Sequence, residues 1–175
     1  MEGFGHFMTF SKDEKLKRKL FQELFHPSLF LGYVEGEKVL GLLGIATSKA
    51  RPLKFERDIC VKYFGKWKGA ILSKQMNAIF QKQVVKEPRE LYIDVLVTGR
   101  EARRKGVGTA LLNHAFDLEG YDTYSIEVFS NNQAAISLYE KSGFVVEKRE
   151  KGSLMRFLGA GYPIKMKKQK AFNRT

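Results

Sequence analysis

Apolar residues recur along the chain with two periods, and each period marks its own kind of element. In SKDEKLKRKLFQELF, Leu16, Leu20, Phe21 and Leu24 share one face of a 3.6-residue turn, which predicts an amphipathic helix from Ser11 to Phe25 with Ser11 as its cap. Two apolar runs around Glu35-Gly36-Glu37, within SLFLGYVEGEKVLGLLGIAT, predict a β-hairpin with a tight glycine turn. Ile71, Leu72, Met76, Ile79 and Phe80 return at helical spacing, so residues 48–88 read as a helical insert closed by Pro88. LYIDVLV, Leu91 to Val97, is apolar on both faces apart from Asp94, as a central buried strand would be.

A helix is predicted from about Gly106 to Leu118 with Gly120 as its stop, and YSIEVFS follows as a strand. Asn132 is placed to cap a helix through QAAISLYEKS, and Gly143 suits the left-handed residue that ends it. Phe144 would then pack back on Tyr139, the contact expected of that helix end. FVVEKRE and YPIKMKK read as two late strands, and residues 166–175 as a basic tail that frays. Strand, helix, strand, helix, strand after a helix and a hairpin means α/β with a mixed sheet, in one domain spanning 1–175.

Composition bounds the rest. The 175 residues are 43% hydrophobic and 29% charged, which is the balance of a globular domain with a real core. No apolar run approaches membrane-spanning length, and MEGFGHFMTFSKDEK lacks the basic-then-apolar order of a secretory leader. Cys60 is the single cysteine, so neither an intramolecular disulfide nor a cysteine-based metal site is available; it reads as an ordinary thiol. A cytoplasmic protein without metal is expected.

The net charge of +12, from 31 basic and 19 acidic residues, favours anionic partners: nucleotide phosphates, RNA or an acidic protein face. A solvated lysine-rich surface is preferred over nucleic-acid binding. In the insert, Phe55, Tyr63, Phe64, Trp67 and Phe80 are interleaved with Lys54, Arg57, Lys62, Lys66 and Lys68. Such a pattern stacks bases and holds phosphates, or it covers a core; the second reading is preferred.

The chemistry concentrates in ARRKGVGTALLNHAF, Ala102 to Phe116, where three cations run into Gly-x-Gly and then a helix. A helix N-terminus offers unpaired N–H groups and a partial positive charge, and glycine lets a ligand approach the main chain. The segment lacks the third glycine of the dinucleotide fingerprint, because Leu111 stands there, and it lacks the Gly-Lys-Ser/Thr ending of a P-loop. By itself it is equally a phosphate site and a solvated basic loop.

Arg103-Arg104-Lys105-Gly106-Val107-Gly108 resembles the R/Q-x-x-G-x-G/A signature of the GCN5-related N-acetyltransferase superfamily. NNQAAISLYEKSGF is similar to that family's second block, through Asn132, Ala135, Leu138, Tyr139, Gly143 and Phe144. The resemblance covers Leu91 to Phe144. It implies a mixed, mostly antiparallel sheet flanked by helices and splayed between the fourth and fifth strands, with acetyl-CoA as co-substrate.

On that resemblance the pyrophosphate is expected on Arg103, Arg104, Lys105, Gly106, Val107, Gly108 and Thr109. The pantetheine arm pairs with the backbone of Leu96 and Val97 like an added strand. Asn132 corresponds to a cofactor-contacting asparagine, and Tyr139 to the general acid that protonates the departing thiolate. Tyr139 has packing as its competing role. For the general base, Asp94 is the candidate, with Glu127 on the neighbouring strand as the other, and a structural role is preferred for either. Backbone donors near Val95 to Val97 are expected to meet the developing oxyanion.

Two features depart from the family pattern. Little precedes the first helix, so EGFGHFMTF stands where a strand and helix usually open the fold; and the loop from Val97 to Arg103 is one residue longer, with Gly99 a candidate bulge. The expected activity is direct acetyl transfer to a primary amine by a monomer or homodimer. The alternative is a non-catalytic CoA-binding or RNA- or protein-binding module on the same fold. Polyamines, aminoglycosides, protein N-termini and lysines all remain as acceptors, with the +12 charge disfavouring strongly cationic small ones.

Overall fold

The two periodicities become five α-helices and six strands among the described residues. A computed structural model describes residues 11, 13–80, 85, 87–152 and 161–170. They fall into two compact units, one drawn from 1–29 and 51–83 and the other from 30–50 and 84–175. The opening segment EGFGHFMTF lies outside the described residues.

The first unit is helical: α1 (Glu14–Leu24), α2 (Arg57–Phe64) and α3 (Lys66–Phe80). Asp13, not Ser11, caps α1, accepting from the N–H groups of Lys15 and Leu16 at 2.9 and 3.0 Å, while Ser11 Oγ accepts from Asp13 N–H one step upstream. A carboxylate suits this place better than a hydroxyl because it also meets the helix dipole. Leu20 and Leu24 are buried with Leu53, Phe55, Cys60, Leu72 and Met76. Gly65, at φ 77°, separates α2 from α3, and a Cβ at Gly69 would lie 2.5 Å from Cys60 O, so only glycine permits that helix crossing.

The aromatic residues of the insert divide. Phe55 is fully buried, Tyr63 and Phe64 are partly buried against the same core, and Trp67 is 86% exposed. Full burial of Phe55 and partial burial of Tyr63 and Phe64 fit the covering role, and Trp67 does not. Ile71 is the exception to the expected apolar stripe, because it turns outward at 55% exposure while Leu72 and Met76 turn in. The side chains of Ile79 and Phe80 lie outside the described residues.

The second unit carries one six-stranded sheet: β1 (Phe30–Glu35), β2 (Lys38–Ala46), β3 (Glu90–Thr98), β4 (Thr123–Phe129), β5 (Val145–Arg149) and β6 (Pro163–Gln169). Their spatial order is β1-β2-β3-β4-β6-β5. Only β3 and β4 run parallel; every other neighbouring pair is antiparallel. The element order predicts a mixed sheet, and the resemblance implies its mostly antiparallel pairing; both are found. Two more helices, α4 (Val107–Asp117) and α5 (Gln133–Lys141), follow β3 and β4.

The middle of the sheet opens. β3 and β4 pair from Glu90↔Thr123 to Ile93↔Ile126 and no further, although β3 continues to Thr98 and β4 to Phe129. At the same place the β2–β3 register slips, with Gly44 opposite Val95 and Ile45 opposite Ile93. Asp94 is therefore the extra residue of a bulge, which re-aims the strand. The irregularity expected at Gly99 sits five residues earlier; Gly99 instead donates to Leu40 O at 2.8 Å.

The basic end is more ordered than its composition predicts. Residues 163–169 form β6 between β4 and β5, Lys170 N–H donates to Asp122 O at 2.7 Å, and 171–175 lie outside the described residues.

Candidate functional site

The loop that leaves β3 makes one 3-10 turn, Arg100–Ala102, and buries Ala102 beneath it. Arg104 then adopts φ 61°, the only non-glycine residue at positive φ among the described residues, and Gly106 adopts φ 81° as the N-cap of α4. An arginine held left-handed costs about 1–2 kcal/mol, which the rest of the fold has to offset. The first bond of α4 runs from Ala110 N–H to Gly106 O at 2.9 Å. The N–H groups of Val107, Gly108 and Thr109 thus lack intrahelical acceptors and point out of the helix start.

Arg103, Arg104, Lys105, Gly106 and Thr109 are all exposed, which brings the predicted cations to a helix N-terminus. The two glycines of the motif do different work. A Cβ at Gly106 would meet nothing within 4 Å, so its surroundings are open and its requirement is conformational. A Cβ at Gly108 would lie 3.2 Å from Leu138 Cδ2, so there the space belongs to α5. Val107 is buried against β2, where Gly41 makes room for it, and presents only its main chain to the loop.

Asn132 accepts from Ala135 N–H at 3.2 Å and caps α5 as predicted. The far end closes as the sequence implies. Gly143 sits at φ 89°, Phe144 N–H reaches Tyr139 O and Gly143 N–H reaches Glu140 O, each at 3.0 Å. The Tyr139 and Phe144 rings then meet edge to face, 5.9 Å apart. From β6, Lys168 Nζ donates to Ser142 O at 2.7 Å and lies 4.7 Å over the Phe116 ring, which holds this helix end from below.

Tyr139 is 6% exposed, and burial pushes its phenol up to about 12. No described residue hydrogen-bonds its hydroxyl. Leu96 and Thr98 turn toward α4, approaching within 3.9 Å of the space above Gly108, whereas Val97 points to the opposite side at 43% exposure. Asp94 and Glu127 are the first residues beyond the last β3–β4 rung, one on each diverging strand, and Glu127 pairs in register with Lys165 on β6. The two candidate bases therefore flank the mouth of the opening.

A cavity of about 380 Å³ lies on the hairpin side of the loop, lined by Lys38–Leu40 and Gly99–Ala102; none of the predicted ligand residues lines it. Among the described residues no group of three His, Cys, Asp or Glu side chains is arranged to hold a metal. No helix among them is long and apolar enough to cross a membrane. Gly41 and Lys168 are the supporting residues that sequence reading passed over. An interior glycine in an apolar strand does signal close approach, but a strand lysine carries no such mark.

Comparison with known proteins adds the family. The family model described as "Acetyltransferase (GNAT) family" matches residues 4–144. No curated protein matches the chain. Among solved structures, the chain is similar to an acetyltransferase of the GNAT family from Streptococcus pneumoniae, at 18% identity and TM-score 0.51, covering 81% of this chain and 66% of that one. A putative streptothricin acetyltransferase from Bacillus anthracis, solved in complex with acetyl coenzyme A, gives 15% identity and TM-score 0.54 over 81% and 62%. This chain thus spans just under two thirds of each of those proteins. Ard1 from Thermoplasma volcanium gives 18% identity and TM-score 0.54 over 97% of this chain and 88% of that one.

Proposed function

The chain belongs to the acetyltransferase (GNAT) family, and on that premise we propose that it moves the acetyl group of acetyl-CoA to a primary amine by direct attack. The observation that carries this reading is the opening between β3 and β4 beyond Ile93 and Ile126, with the basic N-terminus of α4 beside it on the β3 side. Acetyl-CoA, when bound, supplies an activated acetyl thioester. The fit rests on groups already described: three first-turn amides of α4 without intrahelical acceptors, open space over Gly106, and exposed Arg103, Arg104 and Lys105.

In this reading those amides and cations hold the diphosphate, and the β3 backbone at Leu96 and Val97 pairs with the pantetheine arm where β4 has turned away. Asn132 contacts the cofactor beside its capping bond. Backbone N–H groups between Val95 and Val97 serve the oxyanion. Asp94 takes a proton from the amine, the new N–C bond forms as the C–S bond breaks, and Tyr139 gives a proton to the sulfur. The products are an acetamide and a free thiol.

A phenol at about 12 is a weaker acid than a thiol in water, which ionises near ~8.5. Its donation is effective only in a dry cleft, where the thiolate is desolvated and more basic too. The high value also keeps Tyr139 protonated throughout the neutral range. In this reading the protein works in the cytoplasm, as a monomer or homodimer.

The test is calorimetry and thermal shift with acetyl-CoA, followed by free-thiol release over a panel of amines. Binding with turnover on at least one amine is expected. Binding without turnover on any amine favours the non-catalytic module, and absence of binding removes the reading altogether.

A further inference from the structure

The sheet face opposite α4 has been given no role, and it is unusual for a chain of charge +12. Register fixes which residues share it. Leu42 pairs with Val97, Gly44 with Val95, Gly32 with Leu42 and Val34 with Val39. A Cβ at Gly32 would lie 3.8 Å from both Leu42 Cδ2 and Val34 Cγ2, which puts these on one side. Gly41, Leu96 and Thr98 face α4 on the other. Between Val39 and the Asp94 bulge, register places no charged residue on this face, and Lys38, Arg100 and Glu101 stand beside Val39 at its outer edge.

It is also open. Val34 is 57% exposed, Val39 59%, Leu42 37% and Val97 43%. These are four of the nine large hydrophobic side chains exposed among the described residues, gathered on three adjoining strands. Apolar area removed from water drives association, so a cover over four such side chains is a substantial binding surface.

We propose that this face is the acceptor subsite, and that it takes an amine carried on an extended apolar peptide, namely a polypeptide N-terminus with apolar first residues. The inference rests on the acetyl-transfer reading above. α4 closes one side of β3 at Leu96 and Thr98, so an amine that meets a thioester at Val95–Val97 approaches from the other side, where Val97 is uncovered. Three strands at ~4.8 Å spacing and three to four residues at ~3.3 Å each make a patch about 10 Å square, which suits about three residues of extended peptide. A polyamine would leave its other charges over this uncharged surface without partners. Asp94 stands at the inner end of the patch, where the ammonium would arrive.

The experiment uses the full chain with saturating acetyl-CoA and free-thiol release. Its substrates are heptapeptides of equal length with Met-Leu-Val, Asp-Glu-Asp or Lys-Arg-Lys at the free N-terminus, with spermidine alongside. The apolar peptide should exceed the others in kcat/KM by about tenfold or more. Leu42→Glu should raise its KM by about tenfold and leave acetyl-CoA affinity by calorimetry within about twofold, with Leu42→Met restoring KM. Val34→Glu, at a more exposed position, repeats the test should Leu42→Glu fail to fold. Equal rates for the three peptides, preference for spermidine, or unchanged KM in both variants overturns the proposal while leaving acetyl transfer standing. A wild-type dimer that Leu42→Glu separates in sedimentation also overturns it, because a second copy would then cover the face. Absence of acetyl-CoA binding is a separate readout and defeats the parent reading.

Discussion

Gly41 of β2 lies directly beneath Val107, the first residue of α4: a Cβ on the glycine would come within 2.7 Å of Val107 Cγ1 and 3.1 Å of Leu111 Cδ1. The N-terminal end of the helix is therefore set down on the sheet through a missing side chain. Gly41→Val should push α4 outward, lowering stability by about 1–3 kcal/mol in urea denaturation and weakening acetyl-CoA binding in calorimetry. A variant as stable and as tight as wild type would show that the helix is seated elsewhere.

Gly106 makes a complementary case, since a side chain there meets open space and only the left-handed backbone resists it. Gly106→Ala should cost about 1–2 kcal/mol of stability. Gly106→Asp should cost a similar amount but in addition abolish acetyl-CoA binding, because a carboxylate would face the phosphates. Equal acetyl-CoA affinities for the two variants would remove the phosphate from this loop.

Tyr139→Phe keeps the ring against Phe144 and loses the hydroxyl. Turnover should fall while acetyl-CoA affinity holds, as is expected when a group acts on the leaving sulfur. Alkaline stability gives a second reading. The phenol ionises near ~10 when unfolded and at about 12 in the fold, so its contribution is whole below 10 and is lost as pH rises from 10 through 12. That loss is at most about 2–3 kcal/mol, and Tyr139→Phe should remove its share of the decline between pH 9 and 11 in urea midpoints. Identical declines would mean that Tyr139 ionises as freely in the fold as outside it.

Lys168 joins β6 to the end of α5 by its bond to Ser142 O and its place over Phe116. Lys168→Met removes both the donor and the charge and should cost about 1–3 kcal/mol, most of it from the orphaned carbonyl and the lost cation–π contact. A midpoint unchanged from wild type would show that solvent replaces the lysine at no cost.

Trp67→Ala and Phe55→Ala separate the two fates of the insert aromatics. Exposed Trp67 should change stability by less than about 0.5 kcal/mol, whereas buried Phe55 should cost about 3–5 kcal/mol. A large loss at Trp67 would mean that the residue is covered in solution.

These contrasts show where sequence reading reached. The hairpin, the Asn132 cap and the Gly143 stop were legible because each depends on a few neighbouring residues whose backbone preferences are local. The Gly-x-Gly motif was legible as a helix start, but the division of labour between Gly106 and Gly108 was not, because Leu138 comes from another element. Asp94 was singled out as a lone carboxylate in an apolar run, yet its place in a bulge follows from pairing with β2, which periodicity does not encode. Ile71 and Lys168 misled in opposite senses. The isoleucine fits a helical stripe and turns outward, and the lysine, in a strand expected to fray, is an internal brace.

Four parallel rungs from Glu90 to Ile93 join β3 to β4, against six between β2 and β3 and seven between β4 and β6. The sheet is in effect two leaves sewn by a short seam. Under tension applied across the strands, that seam should rip before either leaf frays, much as a partly undone zip parts from its open end.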